Sequence, residues 1–62
     1  MADKIKRLEL AKKLMADCPD ESREIHQRIA DAILTGTSKT DILNMPETND
    51  FPETYHWLSI NL

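Results

Sequence analysis

Apolar residues recur at helical spacing in the first half of this chain. In residues 3–17 they fall three and four positions apart, and most charged side chains occupy the opposite face. Residues 19–35 repeat the pattern with a stripe of isoleucine and alanine. The two faces that we expect to be buried contain Leu8, Leu10, Ala11, Leu14, Met15 and Cys18 in the first segment, and Ile25, Ile29, Ala32 and Ile33 in the second.

The residues around the second segment predict where helices begin and end. Pro19 fits the first position of the second helix, where its missing amide proton is not needed. Gly36 fits the end of that helix because glycine readily adopts the left-handed conformation that follows a helix. Thr37 or Ser38 then caps a short third helix at residues 38–44.

The triplet Pro-Glu-Thr occurs twice, at residues 46–48 and 52–54. A proline disfavours helical geometry in the residue before it, so we expect the first triplet to stop the third helix and lead into a polar turn. The second triplet is predicted to open a fourth helix at residues 51–61. The expected buried seam of that helix contains Phe51, Tyr55, Leu58 and Leu62, with Trp57 beside Leu58 in the core.

Together these elements predict an all-α fold, a small four-helix domain that contains a helix-turn-helix. The helices are expected at 3–17, 19–35, 38–44 and 51–61, without strands. Residues 1–18 form a basic amphipathic helix and residues 19–62 the helix-turn-helix-like core of one domain. A chain of 62 residues buries only about 60% of the surface that its unfolded form exposes, and such a chain usually needs a covalent staple, a metal or a partner subunit.

The cysteine content and the hydropathy of the chain indicate the cellular compartment. A single cysteine, Cys18, excludes an intramolecular disulfide and fits a reducing environment. No apolar run approaches the ~18 residues of a membrane span, and the N-terminus lacks the apolar core of a signal peptide. We therefore expect a cytoplasmic protein that does not enter a membrane.

The sequence offers little catalytic chemistry. It contains no glycine-rich phosphate loop and no nucleophile elbow, so we do not expect an enzyme or a cofactor. Cys18, His26 and His56 do not match the spacing of a structural zinc site, and a fourth ligand is missing. We interpret Cys18 as a small core residue at a helix junction and His26 as a residue on the flank of the second helix.

Charge is distributed unevenly along the chain. Residues 1–18 carry five bases and three acids, residues 19–35 two and four, and residues 36–62 one and four, which gives +2, −2 and −3. The basic first helix allows three interpretations: contact with an anionic membrane surface, contact with nucleic-acid phosphates, or simple solvation. Solvation is the commonest role of such charges.

Residues 28–61 resemble the DNA-binding part of phage small terminase subunits and related phage helix-turn-helix proteins. The matching positions are Gly36, Ser38, Ile42, the Met-Pro pair at 45–46, and the Trp-Leu pair at 57–58. The resemblance implies recognition of viral double-stranded DNA for genome packaging in a host cytoplasm. It also implies a homo-oligomer and a large terminase subunit as partner. The chain stops within its last helix, which favours an N-terminal fragment of a longer protein.

The resemblance further implies that the last helix enters the major groove of DNA. The face opposite its buried seam carries Pro52, His56 and Ser59. Tyr55 lies near the border of that face in the family pattern, whereas the periodicity buries it, and we favour the periodicity. Because the last helix has no Lys or Arg, phosphate contacts are assigned to Lys4, Lys6, Lys12, Lys13 and Lys39.

Four departures from the family pattern leave a second function open. The interval from Met45 to Trp57 is longer than usual. His56 stands where arginine is common, Thr54 stands where an aliphatic residue is common, and the last helix is acidic, without Lys or Arg. An acidic half suits a basic protein surface or mimicry of DNA charge. The alternative is therefore a small phage or bacterial protein-interaction module, a host-protein inhibitor or regulator, that does not bind DNA.

Overall fold

A computed structural model describes the backbone of residues 2–62 and the side chains of residues 4–62, and this range contains helices and no strand. The predicted all-α class is therefore confirmed. The elements are α1 (Ala2–Asp17), a 3₁₀ turn (Asp20–Ser22), α2 (Arg23–Leu34), α3 (Lys39–Leu43), α4 (Pro46–Asn49) and α5 (Pro52–Asn61). Residues 2–62 thus contain five α-helices where four were expected. None of these helices combines the length and apolar character needed to cross a bilayer.

The core is built mainly where α1 packs against α2. Its buried residues are Ala11, Leu14, Ile29, Ala30, Ile33, Ile42 and Leu58. The prediction that Leu8 belongs to this face is wrong, because its side chain is 43% exposed. Since α1 packs chiefly against the single helix α2, only a narrow strip of α1 is covered, and Leu8 lies outside it.

Helix α2 ends as predicted, with Gly36 in the left-handed conformation just after the helix. Gly36 has φ +88°, and the amides of Gly36 and Thr37 donate to the carbonyls of Ile33 and Ala32. This pairing satisfies carbonyl groups that the end of a helix leaves without partners. Arg7 of α1 adds hydrogen bonds from Nη1 to the carbonyls of Ile33 (3.0 Å) and Thr37 (2.8 Å). Arg7 is therefore half-buried and ties α1 to the end of α2.

Helix starts were predicted with mixed success. Ser38 caps α3, since its hydroxyl oxygen accepts from the Asp41 amide at 3.2 Å. Pro19 does not open α2: it precedes the 3₁₀ turn, and α2 begins only at Arg23. With φ −65° and ψ 150°, Pro19 is extended, so the chain needs a further turn before it enters helical geometry.

The first Pro-Glu-Thr triplet begins a helix, which corrects the expectation of a stop followed by a polar turn. Met45 is extended (φ −65°, ψ 138°), as a residue before proline prefers, and Pro46 then occupies the first turn of α4. The Asn49 side chain donates to the carbonyls of Leu43 and Met45, at 3.1 and 3.0 Å. Both triplets therefore serve as helix starts, because proline is as well suited to a first turn as to ending the preceding helix.

Helix α5 buries a narrower seam than its periodicity predicts. Leu58 is fully buried, and Phe51 and Leu62 are half-buried. Tyr55 is 41% exposed, so the prediction that it is buried is wrong. It lies roughly 60° around the helix from Leu58, outside the strip of α5 that the neighbouring helices bury. Trp57 is only partly buried and packs against the core.

Replacing Thr48 of α4 with valine should stabilise the protein by about 1 kcal/mol. Thr48 is fully buried, and its hydroxyl oxygen forms no hydrogen bond within the described residues. Burying an unpaired hydroxyl costs free energy that an apolar group of the same shape does not incur. Urea denaturation should show the gain, whereas Thr40→Val on the exposed surface of α3 should change stability by less than about 0.5 kcal/mol. A loss of stability in Thr48→Val would contradict the prediction.

Candidate binding groove

An open groove of about 690 Å³ lies between the end of α1 and the start of α5. Its walls come from three parts of the chain: the last turn of α1 with the Cys18-Pro19 junction, the first turn of α2, and the first turns of α5. The lining residues are Lys13, Leu14, Asp17, Cys18, Pro19, His26, Phe51, Pro52, Glu53, Thr54 and Trp57. The groove is therefore chiefly apolar and aromatic, with charged groups among its lining residues.

The sequence builds this groove from helix ends. Helix α1 stops at Asp17, next to Pro19, and α5 starts at Pro52. The chain turns at both places, so no long helical surface closes the space between them. Trp57 lies further into α5, where it packs against the core and also lines the groove. Phe51 is half-buried just before the same helix.

His26 holds the start of α5 against α2. Its side chain is only 3% exposed, which corrects the interpretation of this residue as a flanking one. Nδ1 donates to the Ser22 carbonyl at 3.0 Å, since a carbonyl only accepts. In the neutral ring, Nε2 then accepts from the Thr54 hydroxyl, also at 3.0 Å. The imidazole also lies 4.8 Å from the Phe51 ring, centre to centre, at an angle of 53°.

No sequence signal pointed to the pairing of His26 with Thr54. The two residues are separated by 28 positions, so only the tertiary fold brings them together. Both ring nitrogens of His26 are engaged in hydrogen bonds. Within the described residues, no group of three or more His, Cys, Asp or Glu side chains is arranged to hold a metal ion.

Three charged residues line the groove: two carboxylates and one ammonium. Asp17 lies on the α1 wall and Glu53 on the α5 wall, while Lys13 is the one base among the lining residues. Among the side chains of residues 4–62, the ion pairs are Arg23–Asp20 and Arg28–Glu47, so neither groove carboxylate is in an ion pair there. Cys18 lies at the helix junction as predicted, but it is only half-buried and is not part of the core cluster, which corrects its interpretation as a core residue; its Sγ donates to the Met15 carbonyl at 3.1 Å.

Part of the predicted DNA-contacting set comes together at the other end of α5. Lys39 Nζ donates to the Ser59 carbonyl at 2.7 Å, and the Ser59 hydroxyl donates to the His56 carbonyl, also at 2.7 Å. A cation beside the C-terminal carbonyls of a helix is favourable. Lys39 and His56 are exposed, whereas Ser59 is half-buried with its hydroxyl engaged within the helix.

The remaining predicted DNA contacts are distributed over α1, the groove and the exposed part of α5. Lys13 and Pro52 line the groove. Lys4, Lys6 and Lys12 are exposed on α1, but Lys4 and Lys6 lie roughly 160° apart around the helix. Tyr55 is exposed and so is accessible for the contact that the family pattern implies.

The segment between α3 and α5 differs from a compact helix-turn-helix. Residues 44–51 separate the two helices, and this segment contains α4. The helix-turn-helix motif joins its helices by a turn of about three or four residues. Searches among protein-family models, curated protein sequences and solved structures found no match to this chain.

Proposed function

We propose that this protein is an interaction module that binds a segment of a partner protein in the groove between α1 and α5. The observation that carries the proposal is the position of its aromatic residues. Trp57 and Phe51 line an open groove instead of being fully enclosed by the core. Half-exposed aromatic side chains in a concave apolar site are typical anchors of protein interfaces.

The apolar surface extends beyond the groove along α5. Trp57 and Ile60 are three residues apart, so they lie on neighbouring positions of one helix face. Ile60 is 67% exposed, and Trp57 is half-buried. An extended partner segment that enters the groove can therefore continue along α5 and cover Ile60 as well.

A peptide-display selection on the immobilised protein tests this function. We expect it to yield peptides whose binding shifts the backbone amide NMR signals of Leu14, Cys18 and Trp57, because these residues line the groove. Signals from exposed residues outside the groove, such as Asp31 in α2, serve as the internal control. A selection that yields no binding peptide, or only peptides that shift signals away from the groove, would refute the proposal.

DNA binding by a helix-turn-helix module, as in a small terminase subunit, remains a second proposal. The observation that favours it is that Lys39 Nζ donates to the Ser59 carbonyl, which places this cation on α5 near the turn that carries His56 and Ser59. Two observations count against DNA binding. Helix α5 contains no Lys or Arg to contact phosphates, and the Lys39 ammonium already donates a hydrogen bond to the Ser59 carbonyl. Weak contacts of this kind need a homo-oligomer to reach useful affinity.

Fluorescence anisotropy with duplex DNA at low salt tests the second proposal. If the module binds DNA, Lys39→Ala should weaken binding to all sequences about equally, and His56→Ala should reduce discrimination between sequences. Glu24→Gln in α2 changes the net charge in the other direction and serves as the control for non-specific charge effects. Absence of binding at low salt, even at protein concentrations that favour oligomers, would exclude this function.

A further inference from the structure

We infer that the groove between α1 and α5 takes an arginine-bearing peptide segment in which a large apolar side chain neighbours the arginine. This inference rests on the proposed function and names the chemistry of the partner. Its first support is charge. Asp17 belongs to the α1 wall of the groove and Glu53 to the α5 wall, and neither is in an ion pair with the side chains of residues 4–62. The two carboxylates outnumber the single ammonium of the lining, Lys13, so the groove favours a cation.

Acids outnumber bases among the residues adjacent to the groove lining. Asp20 and Glu21 follow the lining residue Pro19, and Asp50 directly precedes the lining residue Phe51, whereas the base Lys12 precedes the lining residue Lys13. All three acids are exposed, and Asp20 is paired with Arg23 at 3.4 Å. A negative rim attracts a basic segment and repels an acidic one. It therefore raises the association rate of basic segments and disfavours acidic ones.

The aromatic residues favour arginine over lysine. A guanidinium stacks on an aromatic face and can bind a carboxylate through two parallel hydrogen bonds, whereas an ammonium is a strongly hydrated point charge. Trp57 and Phe51 supply the aromatic faces, and Glu53 lies on the same α5 wall as Trp57. Leu14 lines the groove as well and supplies apolar surface for the neighbouring side chain of the segment.

Three synthetic peptides of one length test this inference: a leucine-arginine peptide, the same peptide with citrulline for arginine, and the same peptide with glutamate for arginine. Citrulline keeps the shape of arginine and removes its charge. Trp57 is the only tryptophan, so its fluorescence reports binding at the groove, and calorimetry gives the affinity. We expect the arginine peptide to bind about tenfold more tightly than the citrulline peptide, and the glutamate peptide not to bind.

The double variant Asp17→Asn, Glu53→Gln identifies the groups responsible. Both side chains are exposed, so the variant should fold normally. Affinity for the arginine peptide should fall about tenfold, while affinity for the citrulline peptide should stay unchanged. The matched control is Glu9→Gln, which removes an acid from an exposed site of α1 that does not line the groove, and it should leave both affinities unchanged.

Failure of this inference and failure of the proposed function give different results. Equal binding of the arginine and citrulline peptides, or an unchanged affinity in the double variant, would overturn the choice of arginine. The interaction module would still stand if display selection yielded groove-binding peptides of another composition. If no peptide of any composition shifted the groove signals, the proposed function and this inference would both be overturned.

Discussion

Replacing Leu58 with alanine should lower the free energy of unfolding by about 3–5 kcal/mol. Leu58 is fully buried in α5 and belongs to the same core cluster as Ile29 and Ile42, which lie in α2 and α3. Truncating such a residue loses its transfer free energy and leaves a cavity that the surrounding helices only partly fill. Small domains have a total stability near the low end of about 5–15 kcal/mol, so much of the protein should unfold. Urea denaturation followed by circular dichroism measures the loss.

The same helix offers two comparisons for Leu58. Ile60→Ala removes a similar aliphatic side chain from a position that is 67% exposed and should change stability by less than about 0.5 kcal/mol. Trp57→Ala should cost less than Leu58→Ala, although Trp57 is larger, because it is only partly buried. A Trp57→Ala variant that is less stable than Leu58→Ala would show that the groove wall, and not the buried cluster, holds α5 in place.

Replacing His26 with alanine should cost about 2–4 kcal/mol. The substitution removes a ring that is almost completely buried, together with its hydrogen bonds to the Ser22 carbonyl and the Thr54 hydroxyl. It also removes the contact with the Phe51 ring at the start of α5. The start of α5 should loosen, so groove signals in the NMR spectrum should shift more than signals of α3. Thermal and urea denaturation measure the stability.

A double-mutant cycle isolates the hydrogen bond between His26 and Thr54. Thr54→Val keeps the side-chain shape, removes the hydroxyl and should cost about 1 kcal/mol. Combined with His26→Ala, it should cost less than the sum of the two single changes, because both remove the same bond. Thr40→Val on α3, which has no such contact, should be additive with His26→Ala. Strict additivity of Thr54→Val with His26→Ala would refute the importance of this bond.

The sequence alone determined most of the local structure. Apolar spacing located α1, α2 and α5, and single residues marked their ends: Gly36 ends α2 in the left-handed conformation, and Ser38 caps α3. These features depend on interactions between residues a few positions apart, which are present in the sequence pattern itself. The first Pro-Glu-Thr triplet was ambiguous at this level, since proline both ends the helix before it and suits the first turn of the helix after it.

Only the tertiary structure decided which side of each helix is covered. Helical periodicity shows that Leu8 and Tyr55 lie near apolar faces, but it does not show how wide a strip the neighbouring helix covers, and both are exposed. The burial of His26 depends on Thr54, 28 residues away, and the groove depends on where α1 ends relative to the start of α5. Contacts between distant parts of the chain create these features, so no local pattern encodes them. The candidate site is therefore a property of helix packing, whereas its helices are properties of the sequence.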